Sequence, residues 1–230
     1  MARAGVASRR EIERMIAEGR IALHGEKLTT PATLLTDLSG VTVDGKPVRA
    51  AAATRLFRFY KPQGTITAER DPKGRATIYD RLPKGLPRLM PVGRLDFMTE
   101  GLLLLTNDGE LKRQLELPRT GVVRTYRARA FGQVTQAQLE RLAEGITIDG
   151  VHYGSINANL ERRTGRNAWI EMSLTEGKNR EVRRVLAHLG LQVSRLIRTA
   201  YGPFTLAGLE LGNVDEADAG ELDAFRRTLK

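Results

Sequence analysis

The sequence of 230 residues predicts a mixed α+β protein, in which a smaller unit precedes a large domain built around a mostly antiparallel sheet. Three observations lead to this prediction. The predicted strands outnumber the helices, hairpin turns are frequent, and the alanine run at 50–53 has neither apolar bulk nor turn residues. We therefore expect a first domain over 1–49, a linker over 50–54 and a second domain over 55–230.

The smaller unit is predicted to begin with a helix and to continue with short strands. Ser8 and Glu11 have the spacing of a capping box, and apolar residues at 12, 15 and 16 give the following helix one buried stripe. Gly19 is placed to end this helix. Strands follow over 21–23 and 41–43. Three basic residues lie away from the apolar stripe, namely Arg9, Arg10 and Arg14.

The larger domain alternates predicted strands with three predicted helices. Its apolar run at 102–105 predicts a short strand that is buried on both faces. Asp108 can cap a helix that Pro118 stops, and Thr135 can form a capping box with Gln138. Apolar residues at 182, 185, 186 and 189 indicate the third helix. Further strands are predicted over 56–60, 122–131, 155–160 and 168–174.

The charge of the chain is unevenly distributed. Residues 51–204 hold 26 basic and 15 acidic side chains, whereas residues 205–230 hold 3 and 6. A basic domain favours polyanions, because neutralising phosphates releases counterions. The charge pattern therefore favours a nucleic-acid partner over a merely soluble basic surface.

Composition and missing motifs remove several classes of function. The chain has no cysteine, so cysteine zinc sites and cysteine nucleophiles are excluded. It also has no phosphate-binding loop, dinucleotide fingerprint or zinc-protease motif, and its three histidines stand apart. We expect no cofactor and no metal. The longest apolar run, at 102–105, is far shorter than the roughly 20 residues of a membrane span, so we expect a cytoplasmic protein without a membrane partner.

Asp96 lies in the first of three segments that could carry chemistry. Gly93 allows a sharp turn after the strand-like residues 90–92, and Asp96 then lies on a loop before the buried strand. From such a loop a carboxylate can project into a cleft. The alternative is that Asp96 only caps a turn.

The second segment is the predicted strand around Tyr126. This tyrosine shares one face with Arg124 and with the small residues Ala128 and Ala130. Small neighbours leave room for a flat ligand to stack on the ring. The alternative is an ordinary core tyrosine beneath the sheet.

The third segment, over 176–184, opens the third predicted helix. Arg180, Arg183 and Arg184 are spaced at i, i+3 and i+4 and are predicted to form one basic ridge. Such a ridge beside Lys178 suits phosphate contact. The alternative is a solvated charged face, which is less favoured because Glu181 alone offsets four basic residues over 178–184.

In this order, the three segments resemble the pseudouridine synthases of the RsuA type, which act on ribosomal RNA. The resemblance covers nearly the whole chain. Its most specific part is the word GRLDFMTEGLLLLTNDG at 93–109. The other matching words are FYKPQG at 59–64, RTYRARAFG at 124–132, EGKNREVRR at 176–184 and LIRTAYGPFTL at 196–206. The N-terminal ARAGVASRREIERMIAEGRIALHG resembles the alpha-L RNA-binding domain named after ribosomal protein S-four.

The resemblance implies a pseudouridine synthase catalytic domain and a small N-terminal α/β RNA-binding domain. It also implies that Asp96 is the essential residue in breaking the uridine N1–C1′ bond, after which the uracil turns and rejoins through C5. Asp96 could act as a nucleophile at C1′ or as a base at C2′, and the sequence leaves both routes open. The resemblance implies no cofactor and no metal.

Further site residues follow from the resemblance by position. The target base must leave its stack, and Tyr126 matches the tyrosine that stacks on it. Leu196 matches the apolar residue beneath the base, and Arg183 matches the basic residue that pairs with the catalytic carboxylate. Arg94 would enter the RNA where the base departed. Phosphate and sugar contacts are expected from Lys61, Lys178, Asn179 and Arg180, and from Arg9, Arg10 and Arg14 in the smaller unit.

The sequence at 176–184 resembles the large-subunit members of the family more than the small-subunit one. This resemblance favours a uridine of 23S rRNA near the peptidyl-transferase centre as the target, either in rRNA or in a pre-ribosomal particle. We expect the protein to be a monomer. Because family members carry more sequence before ARAG, the N-terminal domain is expected to be truncated at its start or shorter than usual.

The alternatives are modification of 16S rRNA and a non-catalytic RNA-binding assembly factor. The assembly factor does not require Asp96, Tyr126 and Arg183 together. A hydrolase would lack a second carboxylate at a recognisable spacing.

Overall fold

A computed structural model describes residues 1–50 and 52–229. Ala51, which belongs to the predicted linker over 50–54, lies outside the described residues. The described part of the chain forms a small N-terminal unit and a larger α+β part. No helix in these residues is both long and apolar enough to cross a membrane.

The N-terminal unit packs one helix on a four-stranded antiparallel sheet. Ser8 caps the helix, because its hydroxyl accepts a hydrogen bond from the amide of Glu11 at 3.2 Å. The predicted stripe is buried against Ile21 and Val41 of the sheet. The elements are α1 (Arg9–Ala17), β1 (Ile21–Leu23), β2 (Glu26–Lys27), β3 (Val41–Val43) and β4 (Lys46–Pro47), with the strand order β2-β1-β3-β4.

The larger domain is built on a nine-stranded mixed sheet. Its strands are β5 (Leu56–Lys61), β6 (Met90–Pro91), β7 (Glu100–Thr106), β8 (Arg124–Phe131), β11 (Ile156–Thr164), β12 (Asn167–Leu174), β13 (Gln192–Tyr201), β14 (Phe204–Thr205) and β15 (Val214–Glu216). The hairpin of β9 (Ile146–Ile148) and β10 (Val151–Tyr153) lies outside this sheet. The main path runs β11-β12-β8-β13-β7-β5-β15, while β14 pairs with β13 and β6 pairs with β7.

Four helices cover this sheet in two groups. They are α2 (Gly109–Glu116), α3 (Gln136–Glu140), α4 (Glu181–His188) and α5 (Ala219–Thr228). Apolar residues of α3 and α4 pack on β8, β11 and β12, and those of α2 and α5 pack near β5 and β7. The predicted caps are present, since Asp108 accepts from the amide of Glu110 at 2.9 Å and Thr135 forms a capping box with Gln138. The α+β prediction is confirmed.

The predicted basic ridge differs from the structure at its first residue. Helix α4 begins at Glu181, and Arg180 precedes it with a left-handed backbone, at φ 52°. Arg180 therefore projects from a turn, and only Arg183 and Arg184 lie on the helix. A left-handed backbone conformation is disfavoured for residues that have a Cβ atom. Neither the sequence spacing nor helix propensity indicates this conformation at Arg180.

One parallel contact joins the two halves of the large sheet. Every other strand pairing is antiparallel in the described sheet, but β7 and β13 pair in parallel through Ile197–Glu100 and Arg198–Gly101. A Cβ on Gly101 would lie 2.3 Å from the carbonyl oxygen and 2.5 Å from the nitrogen of Arg198, and its φ is +116°. Gly101 therefore permits the close approach of the two strands.

We expect Gly101→Ala to lower the free energy of unfolding by about 3 kcal/mol, because the added methyl meets backbone atoms and the residue keeps a positive φ. Gly121→Ala is a matched control, since Gly121 has φ +59° and open space around it. The control is expected to lose about 1 kcal/mol. Equal losses in urea unfolding would show that the close approach at Gly101 is not a constraint.

Candidate active site

The loop that carries Asp96 is held from both sides by hydrogen bonds. Gly93, with φ +67°, turns the chain after β6, and its amide donates to the Glu116 carboxylate at 2.7 Å. Leu95 is buried, and its carbonyl accepts from the hydroxyl of Thr67 at 3.0 Å. The Asp96 side chain is left 35% exposed and lines a cavity of about 670 Å³. The sequence prediction of a carboxylate projecting into a cleft therefore agrees with the structure.

Lys61 holds the same loop from the protein interior. Its side chain is fully buried, and Nζ donates to the carbonyls of Pro62, Asp96 and Thr99 at 3.1, 3.1 and 2.9 Å. Burial lowers the pKa of Lys61 to about 8. The expected phosphate contact of Lys61 is therefore wrong, because a buried ammonium that is engaged by three carbonyls cannot reach a phosphate.

Tyr126 and Leu196 lie on two neighbouring strands of the large sheet. Tyr126 lies on β8 and is half-buried, while its neighbours on the same face, Ala128 and Ala130, are fully buried. Leu196 lies opposite Ala128 on β13 and is also buried. Both Tyr126 and Leu196 line the cavity with Asp96. An aromatic ring and an aliphatic side chain near a carboxylate suit a flat heterocycle.

The cation that contacts the Asp96 carboxylate is Arg180, where the resemblance implies Arg183. Nη1 of Arg180 lies 3.3 Å from Oδ2 of Asp96, and both side chains are partly exposed. Arg183 instead donates from Nη2 to the carbonyl of Met98 at 2.8 Å, and its Nε has no partner among the described residues. Because Arg180 precedes α4 in a turn, it reaches across to Asp96, whereas the helix directs Arg183 to the backbone of the Asp96 loop.

Arg183 remains electrostatically coupled to the site. Burial, reinforced by the charge of Arg180, lowers the pKa of Arg183, and the negative charge of Asp96 acts in the opposite direction.

The remaining residues that are predicted to contact RNA lie in two places. Arg94, Lys178 and Asn179 are exposed and line the cavity, whereas Arg9, Arg10 and Arg14 are exposed on α1 and do not line it.

Comparisons with known proteins agree with this arrangement. The model of the RNA pseudouridylate synthase family matches residues 55–188. An RNA pseudouridine synthase from Rickettsia bellii is 42% identical over 207 residues, which cover 90% of this chain and 90% of that protein. The chain belongs to the RNA pseudouridylate synthase family.

Other relatives of this pseudouridine synthase carry more specific names. The ribosomal large subunit pseudouridine synthase B of Escherichia coli is 41% identical over 100% of this chain and 81% of its own. The protein of that name from Haemophilus influenzae is 42% identical over 98% of this chain and 65% of its own. A crystal structure described as pseudouridylate synthase superposes with a TM-score of 0.67 at 25% identity, and covers 96% of this chain and 95% of that one.

Sequence reasoning missed several buried polar residues of this pseudouridine synthase. Arg198, Tyr201 and Glu181 line the cavity and are at most 3% exposed. The word 196–206 includes Arg198 and Tyr201, but nothing in the spacing indicates that an arginine there is buried. Their burial follows from the pairing of β13 with β7 and β8, which is a long-range feature.

Glu181 holds the turn that carries Arg180. Its Oε2 accepts from the amide of Lys178 at 2.9 Å, and its Oε1 has no partner in the described part of the chain. Burial, with the adjacent Glu176 carboxylate, raises the pKa of Glu181 to about 7. Glu176 is itself bound by Lys178 and by the amide of Gly154. With a proton on Glu181, its carboxyl group could donate a hydrogen bond to the Glu176 carboxylate.

We expect Glu181→Gln to stabilise the protein at neutral to alkaline pH. The folded pKa lies above the unfolded value of 4.5, so the folded state binds more protons between pH 4.5 and about 7. The stability that Glu181 contributes to the wild type is therefore lost as the pH rises from 4.5 to about 7. The amide keeps the acceptor for Lys178 and carries no charge.

Urea unfolding at several pH values measures this effect. The variant should be more stable than the wild type by roughly 2 kcal/mol above pH 7, and the difference should vanish toward pH 4.5. A difference that does not change with pH would contradict the role of Glu181 ionisation.

Proposed function

We propose that this chain isomerises a uridine of 23S ribosomal RNA to pseudouridine. The observation that carries the proposal is that Asp96, Tyr126 and Leu196, which are far apart in sequence, line a single cavity. The choice of 23S rRNA is supported by relatives named ribosomal large subunit pseudouridine synthase B, which are 41–42% identical to the chain. Their names describe those proteins and do not specify the uridine.

In the proposed reaction the target uridine turns out of its stack and enters the cavity. Its uracil ring stacks on Tyr126 and rests on Leu196, while Asp96 faces the sugar. The C1′–N1 bond then breaks, with Asp96 acting as nucleophile at C1′ or as base at C2′. The uracil turns while it stays bound, C5 bonds to C1′, and the proton from C5 is lost. Tyr126 lies beside the turning base and is our candidate for accepting that proton.

The two arginines near Asp96 take different parts in this proposal. Arg180 is half exposed, and a partly exposed ion pair contributes little stability, so Arg180 can leave Asp96 for an RNA phosphate. Arg183 is half-buried and bound to the carbonyl of Met98, so it remains beside the carboxylate. We therefore keep Arg183 as the partner of Asp96 in the RNA-bound state.

The RNA would lie over the rim of the cavity. Arg94, Lys178 and Asn179 are exposed there and can contact phosphates or fill the gap that the base leaves. Arg9, Arg10 and Arg14 would extend the contact as part of an S-four-type RNA-binding domain over 1–49. We propose that the enzyme acts as a monomer in the cytoplasm, on rRNA or a pre-ribosomal particle.

Mapping of pseudouridines in cellular rRNA tests the function. In cells that lack the protein, one carbodiimide-dependent primer-extension stop in 23S rRNA should disappear, and the wild type but not Asp96→Asn should restore it. The purified variant should bind RNA within a few-fold of the wild type, because the carboxylate acts in the chemical step. A lost stop in 16S rRNA would reassign the substrate, and unchanged stops in both would favour a non-catalytic assembly factor.

We expect Arg180→Ala to weaken RNA binding for all sequences and to reduce the salt slope by about 1, as the loss of one phosphate contact does. Arg227→Ala is the control, since Arg227 is an exposed arginine on α5 that does not line the cavity. Affinities measured across a range of salt concentrations give both slopes. If the two variants have the same slope, Arg180 does not contact phosphate.

A further inference from the structure

Arg198 is a buried arginine that is only partly satisfied by the protein. It lies on β13, is 2% exposed and lines the catalytic cavity. Its Nε donates to the carbonyl of Leu102 at 2.8 Å, while Nη2 has no partner among the described residues. Leaving a buried charge unpaired is strongly unfavourable. The free donor therefore points to a partner that arrives with the substrate.

Arg124, a second buried arginine in the same wall, shows the contrasting case. Its nitrogens donate to the carbonyls of Thr175 and Leu115 and to the hydroxyl of Tyr201. The two arginines both contact the Tyr201 ring, with Cζ to centroid distances of 4.9 Å for Arg124 and 5.1 Å for Arg198. Both terminal nitrogens of Arg124 are engaged by protein acceptors, which gives Arg124 a structural role, whereas Nη2 of Arg198 has no partner among the described residues.

The register of the sheet places Arg198 beside the proposed base site. Arg198 lies directly opposite Tyr126, and Leu196 lies opposite Ala128. Tyr126, Leu196 and Arg198 all line the same cavity. Because directly opposed residues of paired strands point to the same face of a sheet, a uracil that stacks on Tyr126 would lie next to the Arg198 side chain.

We propose that Arg198 binds a carbonyl oxygen of the detached uracil and stabilises its negative charge. This role rests on the proposed function. When the C1′–N1 bond breaks, both electrons leave with the uracil, and the charge spreads over N1 and the carbonyl oxygens. A donor that is fixed in a buried site stabilises such a charge as it develops.

The proposal holds for either route of Asp96. In one route, a carboxylate oxygen of Asp96 gives an electron pair to C1′ and forms a C1′–O bond as the uracil leaves. In the other, Asp96 takes the C2′ proton, and the electrons of the C2′–H bond form a C1′=C2′ double bond. The base leaves as an anion in both cases, so both routes need the same stabilisation.

Replacing the target uridine with 5-fluorouridine tests this role, because fluorine withdraws electrons and stabilises the departing anion without help from the protein. Arg198→Gln should slow loss of the target uridine by about 10²–10³-fold, as the removal of one such donor does. It should slow loss of 5-fluorouridine by a factor about tenfold smaller. The rates are single-turnover rates of disappearance of the target nucleoside from a 23S rRNA fragment, followed by mass spectrometry after digestion.

Two further variants separate this role from a structural one. Arg124→Lys disturbs the same wall and should slow both substrates by equal factors. Arg198→Lys keeps a charged donor and should recover part of the lost rate on uridine. Thermal melting shows whether each variant is folded, and if Arg198→Gln does not fold, Arg198→Lys is judged by the same comparison of the two substrates.

The outcomes distinguish this proposal from the proposed function. Equal slowing of uridine and 5-fluorouridine by the Arg198 variants, or no slowing, would overturn the role of Arg198 while leaving the function in place. A wild type that converts neither substrate would contradict the function itself, and the role of Arg198 would fall with it.

Discussion

The parallel contact of β7 with β13 is the constraint on which the catalytic cavity depends. Strand β7 follows directly after the Asp96 loop, while β13 carries Leu196 and pairs with the strand that carries Tyr126. The cavity therefore lies across the junction of the two halves of the sheet. Because Gly101 lacks a side chain, the two backbones meet closely there, and a carboxylate from one half lines the same cavity as the aromatic and aliphatic groups of the other.

Around this junction the protein uses cations at different depths for different tasks. Lys61 is fully buried and binds three carbonyls, so its charge fixes the backbone that presents Asp96. Arg180 is exposed at the mouth of the cavity and is free to exchange partners. Arg198 lies in the wall, and its Nη2 has no partner in the part of the chain that the structure describes. In the proposed reaction, a polyanionic substrate with a base that leaves as an anion would make use of both exposed and buried positive charge.

The sequence predicted those features that depend on local chemistry. The caps at Ser8, Asp108 and Thr135 and the buried strand over 102–105 are found in the structure, since each depends on residues a few positions apart. The motif words predict the family, and the excess of predicted strands over helices with frequent hairpin turns predicts the α+β fold. Burial of Lys61 and Arg198 was not predictable, because it depends on strands that are distant in sequence. The domain bounds and the roles of the site residues stay predictions.

The central claim is that the target base enters the cavity between Asp96 and Tyr126. A 23S rRNA fragment with 4-thiouridine at the target position, irradiated while bound to the protein, tests this claim most directly. We expect the cross-linked residue, identified by mass spectrometry, to lie in the cavity wall at or beside Tyr126 or Leu196. Cross-links confined to α1 or to other residues outside the cavity would contradict it.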